Sequence, residues 1–166
     1  MAGRKERESA PAPQNTLIAR NKKAAFKFHL LERFEAGLVL QGSEIKSIRA
    51  RKVSLDQSFG RVRNGELYLL GMNIAPYEKA GYAQHEPLRP RKLLLHRREA
   101  SRIIGSLTQS GYTLVPTALY LKRGLAKVEV ALARGKRKYD RREEIRRRDA
   151  ERDIRRALSR QRRRII

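Results

Sequence analysis

The order of apolar and polar positions between residues 16 and 133 predicts a domain built mostly of β-strands. Phe26, Phe28 and Leu30 alternate with polar residues, as expected for a strand with one buried face. We expect a turn or bulge at Gly37, because glycine accepts the positive φ that such a feature needs. The apolar segment "LVLQG" that follows then forms a second strand.

The clearest hairpin pattern is the dipeptide Asn64-Gly65, which lies between two alternating runs. Two more strands are predicted in "YTLVPTALYLKRGLAKVEVALARG", with a turn at Gly124 and an edge position or bulge at Pro116. About six short antiparallel strands with few helices favour a small closed barrel over a sandwich. The fold class is therefore mostly β: an OB-like closed antiparallel barrel with short flanking helices and a basic C-terminal tail.

Two helices are predicted within the barrel region. The first lies in "SEIKSIRARK", where Ser43 caps the start and Ile45 and Ile48 share one face. The second lies in "LLLHRREASRIIGSLTQSG", after a strand-like run that ends at His96. Its buried stripe comprises Ala100, Ile103, Ile104 and Leu107.

The charge of the chain points to a polyanionic partner. The sequence has 40 lysines and arginines against 17 acidic residues, a formal net charge of +23. Self-repulsion on this scale is typical of proteins that bind nucleic acid or an anionic membrane. Binding to a membrane surface also needs a broad apolar helix face, which the basic tail lacks. We therefore expect RNA and no membrane partner.

The excess charge is concentrated in residues 134–166, which hold 16 basic and 6 acidic residues. The apolar residues of this tail are too sparse to dock a helix on a core. Opposite charges four positions apart, such as Glu144 and Arg148, support a helix only weakly. We therefore expect three parts: a disordered arm over 1–15, a barrel over 16–133, and a tail that is disordered alone and helical when bound.

Several classes of chemistry find no support in the sequence. Cysteine is absent, which excludes disulfides and thiolate metal sites, and the three histidines lack metal-ligand spacing. Neither a phosphate-binding glycine loop nor a nucleophile elbow occurs, and the acidic residues of the barrel region are scattered. We therefore predict no metal, no cofactor and no enzymatic activity. No secretory signal or membrane-spanning run is present, so a cytoplasmic location is expected.

Clusters of basic residues beside aromatic residues or a histidine mark the candidate RNA-binding surface. Aromatic residues make up only 6% of the chain, which favours recognition of folded RNA by shape over stacking along single strands. The barrel candidates are Arg20, Asn21, Lys22 and Lys23 in "RNKKAAFKF", Lys46 and Arg49 on the first helix, and Arg91, Lys92 and His96 in "RPRKLLLHRR".

The segments "EAGLVLQGSEIKSIR", "RKLLLH" and "GKRKYDRR" resemble the SmpB family, the bacterial SsrA-binding proteins that accompany transfer-messenger RNA. The resemblance extends from about Ile18 to Arg142. It implies an OB-like barrel that holds the tRNA-like domain of that RNA and delivers it to stalled ribosomes for trans-translation. In this process the nascent peptide is tagged for degradation and the ribosome is released.

The resemblance also implies roles for particular residues. The RNA contacts of the family fall on Glu35, Leu94 and His96, with Arg91 and Lys92 as neighbours. The contacts of its tail with the decoding centre and mRNA channel fall on Gly135, Lys136, Arg137, Lys138, Tyr139, Asp140, Arg141 and Arg142. This sequence has arginine at 137 and 141, where the family often has lysine, and tyrosine at 139, where some relatives have histidine.

Three readings stay open at the level of sequence. The first is a monomeric, non-enzymatic RNA-binding adaptor. The second is a basic structural protein of the ribosome or another OB-fold RNA-binding protein, since both are also small and basic. The third is a nuclease that holds Mg²⁺ with the scattered carboxylates.

Overall fold

The computed structural model of the chain describes residues 15–163, which form nine strands and four helices. The strands are β1 (Thr16–Arg20), β2 (Phe28–Leu38), β3 (Val53–Ser54), β4 (Phe59–Arg63), β5 (Glu66–Leu70), β6 (Asn73–Ile74), β7 (Arg91–Leu94), β8 (Tyr112–Lys122) and β9 (Leu125–Gly135). The helices are α1 (Ala24–Lys27), α2 (Gly42–Arg49), α3 (Arg97–Leu107) and α4 (Lys138–Arg163).

The main sheet closes on itself as a six-stranded antiparallel barrel. Its strands follow the order β8-β4-β5-β7-β2-β9, and the pairing of β9 with β8 completes the ring. Strand β1 pairs with β8 along the same edge as β4, whereas β3 and β6 form a separate two-stranded sheet. The predicted small closed barrel with flanking helices is confirmed. Closure lets the strands pair on both sides and removes open sheet edges.

One apolar core fills the barrel. The inward side chains of β5, β8 and β9 are buried, as are residues of α2 and α3 that cover the open parts of the sheet. Fully buried examples are Ile48, Leu69, Ile103, Leu114, Leu119, Val128 and Val130. The apolar stripe predicted on α3 is confirmed, since Ile103 is buried and Ala100, Ile104 and Leu107 pack against the core.

The prediction for the first strands is wrong in three places. One is the second strand predicted in "LVLQG", because β2 ends at Leu38 and α2 begins at Gly42. Residues Ala24–Lys27 form the short helix α1, so Phe26 is helical and the strand begins only at Phe28. Tertiary hydrogen bonds at the start of α1 override the local alternation of apolar residues. Strand β2 also continues through Gly37 without a turn, because glycine there admits the close approach of Leu94 from β7. A Cβ atom at Gly37 would lie 3.3 Å from the Leu94 Cβ atom.

Helix α2 is confirmed, but its cap is not Ser43. The helix begins at Gly42, and the backbone N–H of Gln41 donates to the Glu44 carboxylate over 2.7 Å. Ser43 is buried instead, with its hydroxyl 2.9 Å from Nδ1 of His85. The other ring nitrogen of His85 donates to the carbonyl of Ile74, so Nδ1 accepts from the serine. This pair holds the loop before β7 against α2.

The turns agree with the sequence predictions. Asn64 and Gly65 have φ values of 48° and 73°, the geometry of a two-residue hairpin turn between β4 and β5. The register between β8 and β9 shifts after Pro116, which confirms a bulge. Gly124 lies in the turn between these strands with φ at 78°.

The C-terminal tail forms one helix, α4, of 26 residues. Its apolar side chains Ile145, Ile154 and Leu158 are exposed, as expected for a helix without an apolar docking stripe. The disorder predicted for the unbound tail stays a prediction, and the predicted arm over 1–15 lies, apart from Asn15, outside the described residues. Among residues 15–163 no helix is both long and apolar enough to cross a membrane.

Candidate nucleic-acid interface

The outward faces of β2, β9 and β8 form a polar surface centred on Glu35. The Tyr120 hydroxyl and the Lys122 ammonium both donate to the Glu35 carboxylate, the latter over 3.0 Å. These hydrogen bonds hold the pKa of Glu35 below its ordinary value, while burial and the same carboxylate raise the pKa of Tyr120. Glu35 is therefore ionised, fixed in place and exposed, and can accept hydrogen bonds from ribose hydroxyls or base amino groups.

A groove with a volume of about 370 Å³ lies next to Glu35 along the same strand. Gly37 of β2 pairs with Leu94 of β7, and the Leu94 side chain is 51% exposed at the wall of the groove. Apolar residues line its floor, and the cationic residues Arg49 and Lys127 also contribute to its lining. Such a groove can accept the apolar face of a base or ribose while the cations neutralise phosphates.

A second cleft adjoins the same surface through Tyr120. It is lined by the predicted residues Arg20 and Lys22, and also by Arg33 and Glu129. Arg33 and Glu129 form an exposed ion pair of 3.1 Å on neighbouring strands. The structure therefore groups Glu35, Leu94, Arg49, Arg20 and Lys22 on connected surfaces, although they are far apart in sequence.

Other predicted residues are exposed but lie in separate local pairs. Lys23 pairs with Asp56 at 2.8 Å, Lys92 pairs with Glu66, and the Lys46 ammonium lies 5.4 Å from the centre of the Tyr77 ring. His96 is exposed at the start of α3, where its backbone N–H donates to Glu99. These side chains are accessible to a ligand after rearrangement of weak surface contacts.

Arg91 does not face solvent, which corrects its predicted position among the RNA contacts. Its side chain is fully buried and donates to the equally buried Glu44 and to the carbonyls of Met72 and Pro87. Strand alternation explains this, because Arg91 and Leu93 point inward whereas Lys92 and Leu94 point outward. Glu44 also accepts from Arg89, so its carboxylate is a structural partner of two arginines.

Asn21 is likewise buried, and we assign it a structural role in place of the predicted RNA contact. Its amide nitrogen donates to the carbonyls of Leu55 and Pro116, over 3.2 and 3.1 Å. Its amide oxygen accepts from the backbone N–H groups of Lys23 and Ala24. Every polar atom of the side chain is used to join the end of β1 to α1, β8 and the loop before β4.

The predicted tail residues lie at the junction between β9 and α4. Gly135 ends β9, and the exposed Arg137, Arg141 and Arg142 flank the first turn of the helix. Asp140 accepts from the backbone N–H of Arg137 and lies 3.5 Å from the His29 ring, while Arg141 donates to the carbonyl of Lys136. The side chains of Lys138 and Tyr139 lie outside the described part of the chain.

Sequence reasoning missed four residues of this surface: Arg33, Tyr120, Lys122 and Lys127. Tyr120 and Lys122 alternate with Leu119, which is buried, and Leu121, which packs partly buried against the core, so the strand pattern places both on one face. Their relation to Glu35 is invisible in the sequence, since 85 and 87 residues separate them from it.

Within the described ranges no cluster of three or more His, Asp or Glu side chains could hold a metal ion.

Comparisons with known proteins connect this geometry to one family. The family model described as "SmpB protein" matches residues 18–160. The SsrA-binding protein of Geobacillus kaustophilus (strain HTA426) is 53% identical over 148 residues, which cover 89% of this chain and 96% of the relative. The SsrA-binding protein of Thermoanaerobacter pseudethanolicus (strain ATCC 33223 / 39E) is 56% identical over 138 residues, or 83% of this chain and 88% of the relative.

A solved structure has the same fold. Described as "tmRNA-SmpB: a journey to the center of the bacterial ribosome", it contains a chain that is 48% identical to this one, with a TM-score of 0.62. The match covers 77% of this chain and 94% of the solved one. The likeness in fold therefore accompanies high sequence identity over nearly the whole of the solved chain.

Proposed function

The chain belongs to the SmpB family, and we propose that it is an adaptor for transfer-messenger RNA. It binds the tRNA-like domain of that RNA and delivers it to stalled ribosomes for trans-translation. The proposal is supported by family membership together with one structural observation. An exposed surface joins Glu35 to the groove that has Leu94 at its wall.

The barrel surface has the chemistry that folded RNA requires. Glu35 supplies a fixed hydrogen-bond acceptor, Leu94 an apolar contact, and Arg49, Lys122 and Lys127 supply positive charge near the same groove. Backbone phosphates provide most of the affinity for such a surface, whereas the fixed acceptor and the shape of the groove select the RNA. Arg20, Lys22 and Arg33 extend the positive surface across β1 and β2.

We propose that the tail, residues 134–166, contacts the ribosome at the decoding centre and in the mRNA channel. The exposed side chains of α4 carry high positive charge density and few apolar groups, which suits a channel walled by ribosomal RNA. Gly135, Lys136, Arg137, Asp140, Arg141 and Arg142 lie where the tail leaves the barrel. In this proposal the tail is disordered alone and becomes helical when ribosomal RNA neutralises its charge.

The proposed role requires binding and positioning but no chemical step. We therefore propose that the chain acts as a monomer, without cofactor or enzymatic activity, in the cytoplasm where ribosomes translate. The scattered carboxylates have structural partners that explain them. Glu35, Glu44 and Glu66 are each hydrogen-bonded to a cationic side chain.

Direct binding of purified components tests this proposal. We expect the full chain to bind the isolated tRNA-like domain much more tightly than an RNA hairpin of equal length and charge, at fixed physiological salt. Salt must be fixed because non-specific affinity varies steeply with it. Equal affinity for the two RNAs would contradict the proposed function and favour a general basic RNA-binding protein.

A further inference from the structure

Two carboxylates lie side by side at the centre of the proposed RNA-binding surface. Glu35 of β2 and Glu129 of β9 are direct partners in the register of the two antiparallel strands. Both side chains point outward, since the residues before and after each of them are buried. Side chains at such positions have Cβ atoms only about 4.5–5.5 Å apart. The two carboxylates can therefore present one acceptor surface to a ligand.

The stability of the sheet does not explain this arrangement. Like charges directly opposite each other destabilise a pair of antiparallel strands. The Arg33 guanidinium donates to the Oε1 atom of Glu129 over 3.1 Å, and the Thr117 hydroxyl donates to the same oxygen. Within residues 15–163 these are the hydrogen bonds that the Glu129 carboxylate accepts. Its Oε2 atom is therefore left to solvent or to a ligand.

Glu129 faces the same space as the hydrogen bond between Tyr120 and Glu35. Glu129 and Tyr120 both line the cleft beside β1, which has a volume of about 500 Å³. Burial is the main cause that raises the pKa of Tyr120, followed by the hydrogen bond to Glu35 and by the negative charges of Glu35 and Glu129. The tyrosine therefore keeps its proton and lies within the field of both carboxylates.

Cationic side chains lie on both sides of the carboxylate pair. Arg20 and Lys22 line the cleft on one side, and Arg49 and Lys127 line the groove on the other. Carboxylates accept hydrogen bonds but cannot donate them, so a phosphate is disfavoured at the centre and attracted to the flanks. An RNA that fits this surface must place hydrogen-bond donors over the pair. In RNA these donors are ribose hydroxyls and base amino groups.

We propose that Glu129 is a specificity-determining residue, which acts beside Glu35 by accepting a hydrogen bond from a ribose hydroxyl or base amino group of folded RNA. The inference rests on the proposed function and adds a residue to its RNA-binding surface. The ion pair with Glu129 also makes Arg33 less available to the phosphates of unrelated RNA. Selection by this surface therefore combines an attraction for donors with a disadvantage for phosphates.

Charge reversal of Glu129 in the full chain tests the proposal. Glu129→Lys makes the chain more positive, which alone would raise affinity for any RNA. We expect affinity for the isolated tRNA-like domain to fall about tenfold to a hundredfold instead, the usual loss when a hydrogen bond to a charged group is removed. Glu129→Gln keeps an acceptor oxygen and should lose about threefold to tenfold. Titration calorimetry at fixed salt measures both affinities, and thermal unfolding checks that each variant is folded.

Glu32→Lys is the matched control. Glu32 pairs with Arg102 at 2.9 Å and its side chain is 36% exposed, against 3.1 Å and 33% for Glu129 with Arg33. Glu32 lines neither the groove nor the cleft, so the same change of charge should leave the affinity equal or higher. Equal affinities in the two lysine variants, with a parent that still prefers the tRNA-like domain, would overturn the role of Glu129 and leave the proposed function intact. A parent without that preference would contradict both.

Substitution in the RNA identifies the donor. Copies of the tRNA-like domain are made with scattered analogues that lack either the 2′-hydroxyl or an exocyclic amino group, and the copies that bind are sequenced. We expect an analogue position that weakens binding to the parent and to Glu32→Lys but has no effect on Glu129→Lys, because the partner of that donor is then absent. A hydroxyl position assigns the contact to ribose, and an amino position assigns it to a base. Identical positions for all three proteins would overturn the contact.

Discussion

Glu44 and Arg91 form an ion pair inside the barrel, with the Glu44 Oε1 and Arg91 Nη2 atoms 2.9 Å apart and both side chains fully buried. Arg89 and the backbone N–H of Gln41 complete the hydrogen bonds of the carboxylate. The pair ties α2 to β7, the two elements that supply Arg49 and Leu94 to the proposed RNA-binding groove. A buried pair is costly to break from one side, because the remaining charge is left without a partner.

The first prediction is that Arg91→Ala destabilises the barrel strongly. We expect the free energy of unfolding to fall by about 3–5 kcal/mol, the usual cost of leaving a buried charge unpaired. Lys92→Ala is the matched control, since Lys92 pairs with Glu66 at the exposed surface, where solvent screens an ion pair and its loss changes stability little. Urea denaturation measures both. Similar losses in the two variants would contradict the structural role of Arg91.

The second prediction concerns acid stability. Burial raises the pKa of Glu44, but hydrogen bonds from Arg89, Gln41 and Arg91 outweigh it and hold the pKa below its ordinary value of 4.5. A lowered pKa in the folded state means that the stability contributed by the carboxylate is complete above pH 4.5 and declines as the pH falls through the folded-state value.

The difference in unfolding free energy between the parent chain and Glu44→Gln isolates this contribution. We expect the difference to be largest near neutral pH and to narrow below pH 4.5, because glutamine does not titrate. Denaturation at a series of pH values measures it. A difference that is constant down to acid unfolding would show that Glu44 does not titrate as described.

The third prediction separates RNA contact from folding. Leu94→Ala should weaken binding to the tRNA-like domain about tenfold, or about 1.4 kcal/mol, while the protein stays folded. Leu88→Ala is the control, because Leu88 is 55% exposed against 51% for Leu94 but lies outside the groove. Titration calorimetry with the isolated RNA domain measures both. Equal affinities would exclude the groove as the contact site.

The fourth prediction divides the work between barrel and tail. Strand β9 pairs with β2 as far as Gly135, so a cut after Arg137 leaves the barrel complete. This truncation should abolish peptide tagging on stalled ribosomes. Affinity for the tRNA-like domain at physiological salt should fall less than about tenfold, because lost tail charge weakens mainly non-specific attraction. A parallel loss of both activities would contradict a separate, ribosome-facing tail.

Much of the barrel could be predicted because its patterns are local. The Asn64-Gly65 turn, the stripe of α3 and the final hairpin each depend on neighbouring residues, and all three are confirmed. Helix α1 could not be predicted, since it depends on hydrogen bonds of Asn21 with groups 34 and 95 residues away. The turn predicted at Gly37 is wrong for the same reason. The glycine is needed for the close approach of Leu94, which comes from another strand and is not apparent from the neighbouring sequence.

The sequence indicates that the proposed RNA-binding surface is basic, but not which side chains of each strand face solvent. The cations of the basic clusters reach solvent, except for Arg91. The segment "RKLLLH" contains three consecutive leucines, so its alternation does not reveal which positions face inward. Only the pairing of β7 with β5 and β2 turns Arg91 inward and Leu94 outward. The resemblance implies RNA contacts at Glu35 and Leu94, whereas only the fold shows that Tyr120 and Lys122 lie beside Glu35.

Crosslinking the full chain to RNA in living cells, followed by sequencing of the bound RNA, tests the central claim most directly. We expect strong enrichment of one small RNA with a tRNA-like domain, accompanied by ribosomal RNA from the decoding region. We also expect Leu94→Ala, but not Leu88→Ala, to lower the small RNA relative to ribosomal RNA. Recovery of ribosomal RNA alone would contradict the adaptor function and identify a structural protein of the ribosome instead.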